Sequence, residues 1–235
     1  MNDNLNDSLA DSIVNMINWS CIGRPYGLNI LKWLVATGNV NKKSQDNKIP
    51  LHHCSTWCGN TEEVLFLIEN GADINAQDEY GDTALHCAVA SGRSEPVELL
   101  IKHCAKLDIQ NNRGFTPLMT ACNCGGHILP VEILIAHGVD LDLQNKKGDT
   151  ALMLCTHSYA GAANFQVEIA EKLIAAGADL NKRNNQGKTA LMIAQEEDNL
   201  KMVKLLKEAA SKDIKTLAKY NSDNVKKSDT NKQYQ

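Results

Sequence analysis

The residues of this chain best suited to chemistry are histidines and cysteines, which gather in two short stretches. The first stretch contains His52, His53, Cys54 and Cys58, and the second contains Cys122, Cys124 and His127. Imidazoles and thiolates bind zinc when four of them converge tetrahedrally, usually as short-spaced pairs. These stretches therefore have two interpretations, a zinc site or ordinary structural packing. The choice between the two depends on the secondary-structure elements in which the histidines and cysteines lie.

The eight cysteines are also candidate nucleophiles, and they are Cys21, Cys54, Cys58, Cys87, Cys104, Cys122, Cys124 and Cys155. A catalytic thiol needs a base within hydrogen-bond reach and a third group that orients the base. No sequence signature of that kind surrounds any cysteine, and Gly125-Gly126 is a lone pair rather than a phosphate-binding loop. The sequence therefore predicts no enzyme, no catalytic residue and no small-molecule substrate. A cysteine-dependent enzyme is the most remote alternative.

Composition excludes several classes of protein. The chain has 235 residues, a formal net charge of −4 and 43% hydrophobic residues, of which few are aromatic, so we expect an aliphatic core. The sequence has no clustered basic face, so we do not expect it to bind nucleic acid. It also has no run of about 18 apolar residues, so we do not expect a membrane span. The first residues show neither the basic nor the apolar region of a secretory signal, so we expect reduced thiols and a cytoplasmic location.

Two sequence phrases recur in phase along the chain. In the first, a proline or alanine precedes a leucine, which stands at positions 51, 85, 118, 152 and 191, at steps of 34, 33, 34 and 39. A threonine comes before this pair in every copy except the first, where Ile49 replaces it. The second phrase begins at Gly38, Gly71, Cys104, Gly138 and Gly177, at steps of 33, 33, 34 and 39. Two phrases that keep one period indicate a tandem repeat. In each unit the threonine is suited to cap a short first helix, and a glycine ends an apolar second helix.

This pattern resembles the ankyrin repeat over about residues 28 to 210. The resemblance implies an all-α solenoid of helix–turn–helix units with projecting hairpin loops. We place an ankyrin-repeat domain at residues 1–211 and a polar, disordered tail at 212–235. Within the domain we expect an N-terminal capping repeat at about 5–41, repeats at about 45–77, 78–110, 111–144 and 145–183, and a C-terminal capping repeat at about 184–211.

The resemblance also bears on the histidines and cysteines. His52 falls on the position at which the family carries a histidine that ties neighbouring turns together, and methionine replaces it in the last three repeats. Cys104 replaces a helix-ending glycine, and Asn47 replaces a hairpin glycine. Three other cysteines fall on or next to small-residue positions of the repeat: Cys54, Cys87 and Cys155. These matches favour packing, so we predict no metal and no cofactor.

A protein partner is expected on the concave face, which the hairpin tips and the inner helices form in proteins of this kind. Interface hot spots favour tryptophan, tyrosine and arginine, and an aromatic residue exposed on a tip has no core role. The predicted partner-binding residues are Tyr80, Arg113, Phe115, Trp57, Glu79, Asp82, Lys147 and Tyr159. For each of them the alternative is local packing or an ordinary surface position.

The 39-residue step places about six extra residues in the segment 157–166, between the two helices of one repeat. Its Tyr159 and Phe165 are candidates either to extend the binding face or to lengthen the helices. Separately, Leu67–Asn75 and Leu173–Asn181 resemble a pattern that an asparaginyl hydroxylase modifies in ankyrin proteins. Asn75 and Asn181 are therefore candidate hydroxylation sites, and the alternative is that each asparagine only serves its hairpin turn.

Together these observations predict a monomeric, non-catalytic protein–protein interaction module or scaffold. The alternative is a microbial or viral effector that uses its repeats to recruit or mimic a host protein in the host cytoplasm. The sequence does not name the partner.

Overall fold

The structure, a computed structural model, describes residues 9–13, 27–56, 60–124, 127–156 and 163–212. The helices in these ranges are α1 (9–13), α2 (Gly27–Ala36), α3 (Pro50–Cys54), α4 (Thr61–Glu69), α5 (Ala84–Ala90), α6 (Ser94–Lys102), α7 (Pro117–Asn123), α8 (Ile128–Ala136), α9 (Ala151–Leu154), α10 (Ala163–Ala175), α11 (Ala190–Glu196) and α12 (200–212). From α3 onward they form successive pairs of a first and a second helix. No strand occurs within the described ranges, and the predicted all-α class is confirmed.

The first helix of most pairs begins at a threonine cap, as the sequence predicts. The hydroxyl oxygens of Thr83, Thr116, Thr150 and Thr189 accept the backbone N–H three residues on. A cap of this kind contributes about 1 kcal/mol to helix stability. Helix α3 lacks a hydroxyl cap. Ile49 is its N-cap and Pro50 its first residue, where the missing N–H of proline costs no hydrogen bond.

The helices stack in two layers, with first helices packed on first helices and second helices on second helices. Four of the five leucines of the first phrase are fully buried in the first layer (Leu51, Leu85, Leu118 and Leu152), and Leu191 in the last pair is half-buried. The second helices bury Leu67, Leu100, Leu134 and Leu173 just as fully. A single pair leaves one apolar face uncovered, so each pair depends on its neighbours. The predicted aliphatic core is confirmed.

Helix α10 absorbs the insertion. It has 13 residues, whereas α4, α6 and α8 have nine each. Counting back from Leu173 and Leu67, Gln166 stands at the position where Asn60 caps α4, so α10 begins one helical turn earlier. The insertion therefore lengthens the helix, as one of the two interpretations predicts. Downstream the register is unchanged, because the backbone N–H of Asp179 still donates to the Asp142 carboxylate of the preceding repeat at 2.9 Å.

Five tight turns project from the helix pairs, and we call them tip 1 (44–48), tip 2 (78–82), tip 3 (111–115), tip 4 (145–149) and tip 5 (184–188). In each tip the first residue's N–H donates to the carbonyl of the fifth residue, at 2.8 to 3.0 Å. The predicted tail lies outside the described residues except for Lys212, the last residue of α12. The predicted N-terminal capping repeat is described only in part, and there Lys42 pairs with Asp11 at 3.0 Å.

Two buried histidines join the first helices to the tips. In α5 the His86 Nδ1 accepts the N–H of Thr83 at 3.1 Å, and its Nε2–H donates to the Phe115 carbonyl of the next repeat at 2.9 Å. In the repeat before it, His52 donates in the same way to the Asp82 carbonyl at 3.0 Å. Both rings must be neutral, because protonated Nδ1 has no lone pair for the N–H that it accepts. Burial lowers the pKa of both histidines.

These histidines predict a loss of stability in mild acid. Burial also lowers the pKa of His53 from its ordinary 6.5 to about 4. Below pH 6.5 the unfolded chain therefore binds protons that the folded chain excludes, and the free energy of unfolding should fall as the pH falls from about 6.5 towards 4. Urea unfolding at a series of pH values measures this slope.

The chain supplies its own control, because methionine stands at the histidine position in the last three repeats. In the double variant His52→Met/His86→Met the slope between pH 6.5 and 4 should be shallower, since only His53 remains of the three. The variant keeps every carboxylate of the wild-type chain. Parallel stability curves for the two proteins across this range would show that the buried histidines are not responsible.

Candidate functional site

The tips are pinned by the side chain of their first residue. In tip 3 the Asn111 side-chain oxygen accepts the N–H groups of Arg113 and Phe115 at 2.9 and 3.0 Å. The first residues of tips 2, 4 and 5 do the same: Asp78, Asn145 and Asn184. Asparagine and aspartate favour such turns because their short side chains reach their own backbone two residues on.

A ladder of backbone hydrogen bonds joins each tip to the next. The carbonyls of Asp46, Tyr80, Arg113 and Lys147 accept the N–H groups of Glu79, Asn112, Lys146 and Asn185, at 2.9 to 3.2 Å. The tips and the first helices α3, α5, α7, α9 and α11 together form one face, which we call the inner face. The outer face carries the second helices. Because the backbone of each tip is held on both sides, the exposed side chains of the tips are presented from a fixed frame.

Tyr80 and Glu79 lie at the outermost point of tip 2, and both are exposed. Tyr80 keeps 59% of its surface, the most of any described aromatic residue. A hydrogen bond with the Glu79 carboxylate raises the pKa of the Tyr80 phenol. An exposed aromatic ring with a polar end is a common anchor at protein interfaces.

Phe115 corrects one expectation of the sequence analysis. Its side chain keeps only 6% of its surface and packs in the core, whereas we expected an exposed ring without a core role. The Arg113 guanidinium covers this ring at 4.2 Å from its centroid. Of the two, Arg113 is exposed and Phe115 supports it from below, so Phe115 contributes to the face by holding Arg113 in place.

Asp82 and Lys147 differ in how free their side chains are. The Asp82 carboxylate accepts the Asn111 side-chain amide of the next tip at 2.7 Å, and its carbonyl accepts His52. Lys147 is exposed, and only its backbone is engaged in tip 4. Asp82 therefore has a structural task within the ladder, and Lys147 does not. Two other predicted residues, Trp57 and Tyr159, lie outside the described residues.

Two grooves open on the inner face. One, of about 490 Å³, lies between tips 4 and 5 and the end of α11, and it is lined by Lys146, Lys147, Lys188 and Glu196 among others. The second, of about 330 Å³, lies between tips 3 and 4 and the ends of α7 and α9. Its lining includes Asn123 and Leu154, which the sequence analysis missed. Their position in the sequence gives no sign that the tips fold over the ends of these helices.

Charge is unevenly distributed over the tips. Tip 2 carries Asp78, Glu79 and Asp82 and no basic residue, whereas tips 3 and 4 carry Arg113, Lys146 and Lys147. In tip 5 the lysine Lys188 pairs with Glu196 at 2.5 Å. The inner face therefore changes from acidic to basic between tips 2 and 3, and two oppositely charged patches lie side by side.

The two candidate hydroxylation sites differ in their surroundings. The Asn75 side-chain oxygen accepts the N–H of Lys106 in the next repeat at 2.9 Å, so the residue holds two repeats together. Asn181 is exposed, and no described residue forms a hydrogen bond with its side chain. The alternative to hydroxylation, a purely structural role in the hairpin, therefore fits Asn75 better than Asn181.

Three of the six described cysteines are buried, Cys87 is half-buried, and Cys104 and Cys124 are exposed. Burial raises the pKa of Cys87 to about 12 and raises that of Cys54 well above its usual range. A hydrogen bond with Cys122, together with burial, does the same for Cys155. A reactive cysteine requires a lowered pKa, so these thiols are poor nucleophiles. Among the described residues, no three histidine, cysteine or acidic side chains gather where a metal ion could bind, although Cys58 lies outside that set.

The helices of the described ranges are all too short or too polar to cross a membrane. In comparisons with known proteins, the family model described as "Ankyrin repeats (3 copies)" matches three overlapping segments, at residues 20–111, 97–184 and 158–228. These segments cover most of the chain. No curated protein matches it.

The ladder predicts different effects for two glycines with the same backbone conformation. Gly148 and Gly187 have φ of +79° and +75°, but a Cβ on Gly148 would lie 2.6 Å from the backbone nitrogen of Asn185, whereas Gly187 has open space. Gly187→Ala should cost about 1–2 kcal/mol for its conformation alone. Gly148→Ala should cost a further 1–3 kcal/mol, roughly, because the next tip must move. Chemical denaturation measures both; equal losses would mean that the tips are not closely coupled.

The surroundings of the two asparagines predict which one an asparaginyl hydroxylase would modify. On incubation with such an enzyme, Asn181 should gain an oxygen more readily than Asn75, because only Asn75 is bonded to the next repeat. Peptide mass spectrometry of the treated protein locates any added oxygen, and Asn181→Ala is the control. A protein that gains no oxygen at either residue would remove both sites.

Proposed function

The chain belongs to the ankyrin-repeat family, and we propose that its inner face binds a partner protein, with Tyr80, Glu79, Arg113 and Lys147 in the contact. Ankyrin repeats are generally protein–protein interaction modules. The observation that carries the proposal is the exposure of large and charged side chains on a backbone that is already fixed. A fixed frame lowers the entropy lost on binding, so that contact energy appears as affinity.

A non-catalytic role is part of this proposal. Members of the family are typically non-catalytic. The raised pKa of the buried cysteines argues in the same direction, because each of these thiols stays protonated at neutral pH. Phe115 and Asp82 have structural tasks here, so we assign them the support of the face rather than direct contact.

A triple variant tests this assignment. Tyr80→Ala/Arg113→Ala/Lys147→Ala removes one exposed aromatic residue and two cations from the inner face. The matched control, Phe165→Ala/Lys102→Ala/Lys204→Ala, removes the same kinds of side chain from the outer helices, where Phe165 is 47% exposed. We expect affinity capture from a cell lysate to lose specific partners with the inner variant and to retain them with the outer variant.

Circular dichroism and thermal unfolding should show that both variants fold, because all six positions are on the surface. Partners that are retained by the inner variant and lost with the outer one would place the binding site on the second helices. Partners retained by both would exclude the substituted residues of both faces and direct attention to the segment 157–162.

A further inference from the structure

The junction between tips 3 and 4 differs in one hydrogen bond from the junctions between tips 2 and 3 and between tips 4 and 5. In those two junctions the side-chain amide of a tip's first residue donates to a carboxylate of the preceding tip. Asn111 Nδ2 donates to Asp82 at 2.7 Å, and Asn184 Nδ2 donates to Asp149 at 2.8 Å. In both cases the carboxylate belongs to the fifth residue of its tip.

Tip 3 breaks this arrangement, because its fifth residue is Phe115 instead of aspartate. The corresponding amide in tip 4 is that of Asn145, which keeps 6% of its surface. Its Nδ2 is buried and has no hydrogen-bond partner among the described residues. A buried donor without an acceptor is unfavourable, so the free protein retains an unsatisfied site at this point. Asn145 and Phe115 both line the groove of about 330 Å³.

The charged residues around the groove, like the Asn145 amide, favour a negatively charged ligand. Arg113, Lys146 and Lys147 line it, and none of them forms an ion pair with a described residue. The one acidic residue in the lining, Asp149, is buried and already accepts the Asn184 amide. The groove thus presents three cations and one unsatisfied donor, against the single carboxylate of Asp149.

Its apolar part is small and specific. The Phe115 ring and the Leu154 side chain line the groove beside the cations, and both are almost fully buried. An apolar side chain that enters here loses contact with water and gains contact with these two residues. A carboxylate next to an apolar group therefore matches the lining better than either group alone.

We propose that this groove binds an acidic peptide segment of the partner protein, with a carboxylate between Arg113 and Lys147 and a neighbouring apolar side chain beside Phe115 and Leu154. The inference deepens the proposed function and rests on it. The incoming carboxylate takes the place that Asp82 and Asp149 fill in the other tips. Because Asn145 Nδ2 is buried, its bond to the carboxylate requires the side chains that cover it to shift.

The acidic tip 2 limits the choice of occupant. Glu79 and Asp82 lie one tip away from Arg113, and they repel a polyanion that continues past tip 3. A nucleic acid is therefore disfavoured, and a short acidic segment that ends or becomes basic towards tip 2 is favoured. The chain's own residues 212–235 carry six lysines and three aspartates, so their charge is wrong for this groove.

A phage-displayed library of random peptides, selected on the full-length protein, tests the inference. Enriched peptides should carry aspartate or glutamate beside an apolar residue. For a synthetic copy of the most enriched peptide, Arg113→Glu/Lys147→Glu should weaken binding by roughly tenfold or more, and added salt should weaken it further. The matched charge reversal on the outer helices, Lys102→Glu/Lys204→Glu, should leave the affinity unchanged.

A second readout follows the amide itself. On titration with the peptide, the side-chain NH₂ signals of Asn145 in a ¹⁵N spectrum should shift. The variant Phe115→Asp introduces the carboxylate that tips 2 and 4 carry at this position. In this variant the Asn145 signals should be shifted before peptide is added, and the peptide should bind weakly. If Phe115→Asp does not fold, the charge-reversal variant and the Asn145 titration still decide.

The outcomes separate this inference from the proposed function. Enriched peptides that lack acidic residues, or whose binding survives Arg113→Glu/Lys147→Glu and is lost with Tyr80→Ala, would overturn the groove assignment and leave protein binding by the inner face intact. An Asn145 signal that does not move on saturation would overturn the proposed carboxylate position. If no peptide is enriched and the inner-face variant captures the same proteins as wild type, both proposals fail.

Discussion

The fold depends on the hydrogen bonds that set the spacing of successive repeats. A single repeat cannot bury its own apolar face, so it needs its neighbours at a fixed distance. Leucine packing holds the helices together, but it does not fix how far one tip stands from the next. The backbone bonds such as that from Asn112 to Tyr80 fix this distance, and His86 bonded to Phe115 fixes the first helix against the tip. The spacing of the exposed side chains on the inner face follows from these bonds.

The same bonds explain what the sequence predicts well and what it does not. The period, the threonine caps and the helix-ending position of Cys104 depend on neighbours within one repeat, and the predictions for them are confirmed. The burial of Phe115 depends on the next repeat, and the expectation of an exposed ring was wrong. Tyr80 and Phe115 are both aromatic residues of a tip, and only the contact between repeats distinguishes the exposed ring from the buried one.

The groove shows the same limit. Comparison of Asp82, Phe115 and Asp149 shows that tip 3 lacks the carboxylate that tips 2 and 4 carry, and this is visible in the sequence. That the omission leaves the Asn145 amide unsatisfied, and that Leu154 lies nearby, requires the three-dimensional arrangement of two repeats. Sequence periodicity identifies the exception but not its chemical consequence. The contact residues of the inner face remain predictions.

The extra turn of α10 has a practical consequence. Added residues enter the chain between the two helices of a repeat, and yet Leu173 is as fully buried as Leu134 and the Asp142 carboxylate still reaches the next repeat. The number of residues between the two helices of this repeat can therefore change without altering the register of the following repeats. A fluorophore or an epitope tag grafted into the segment 157–162 should leave the tips undisturbed, which makes this segment a suitable attachment point for reporters of binding.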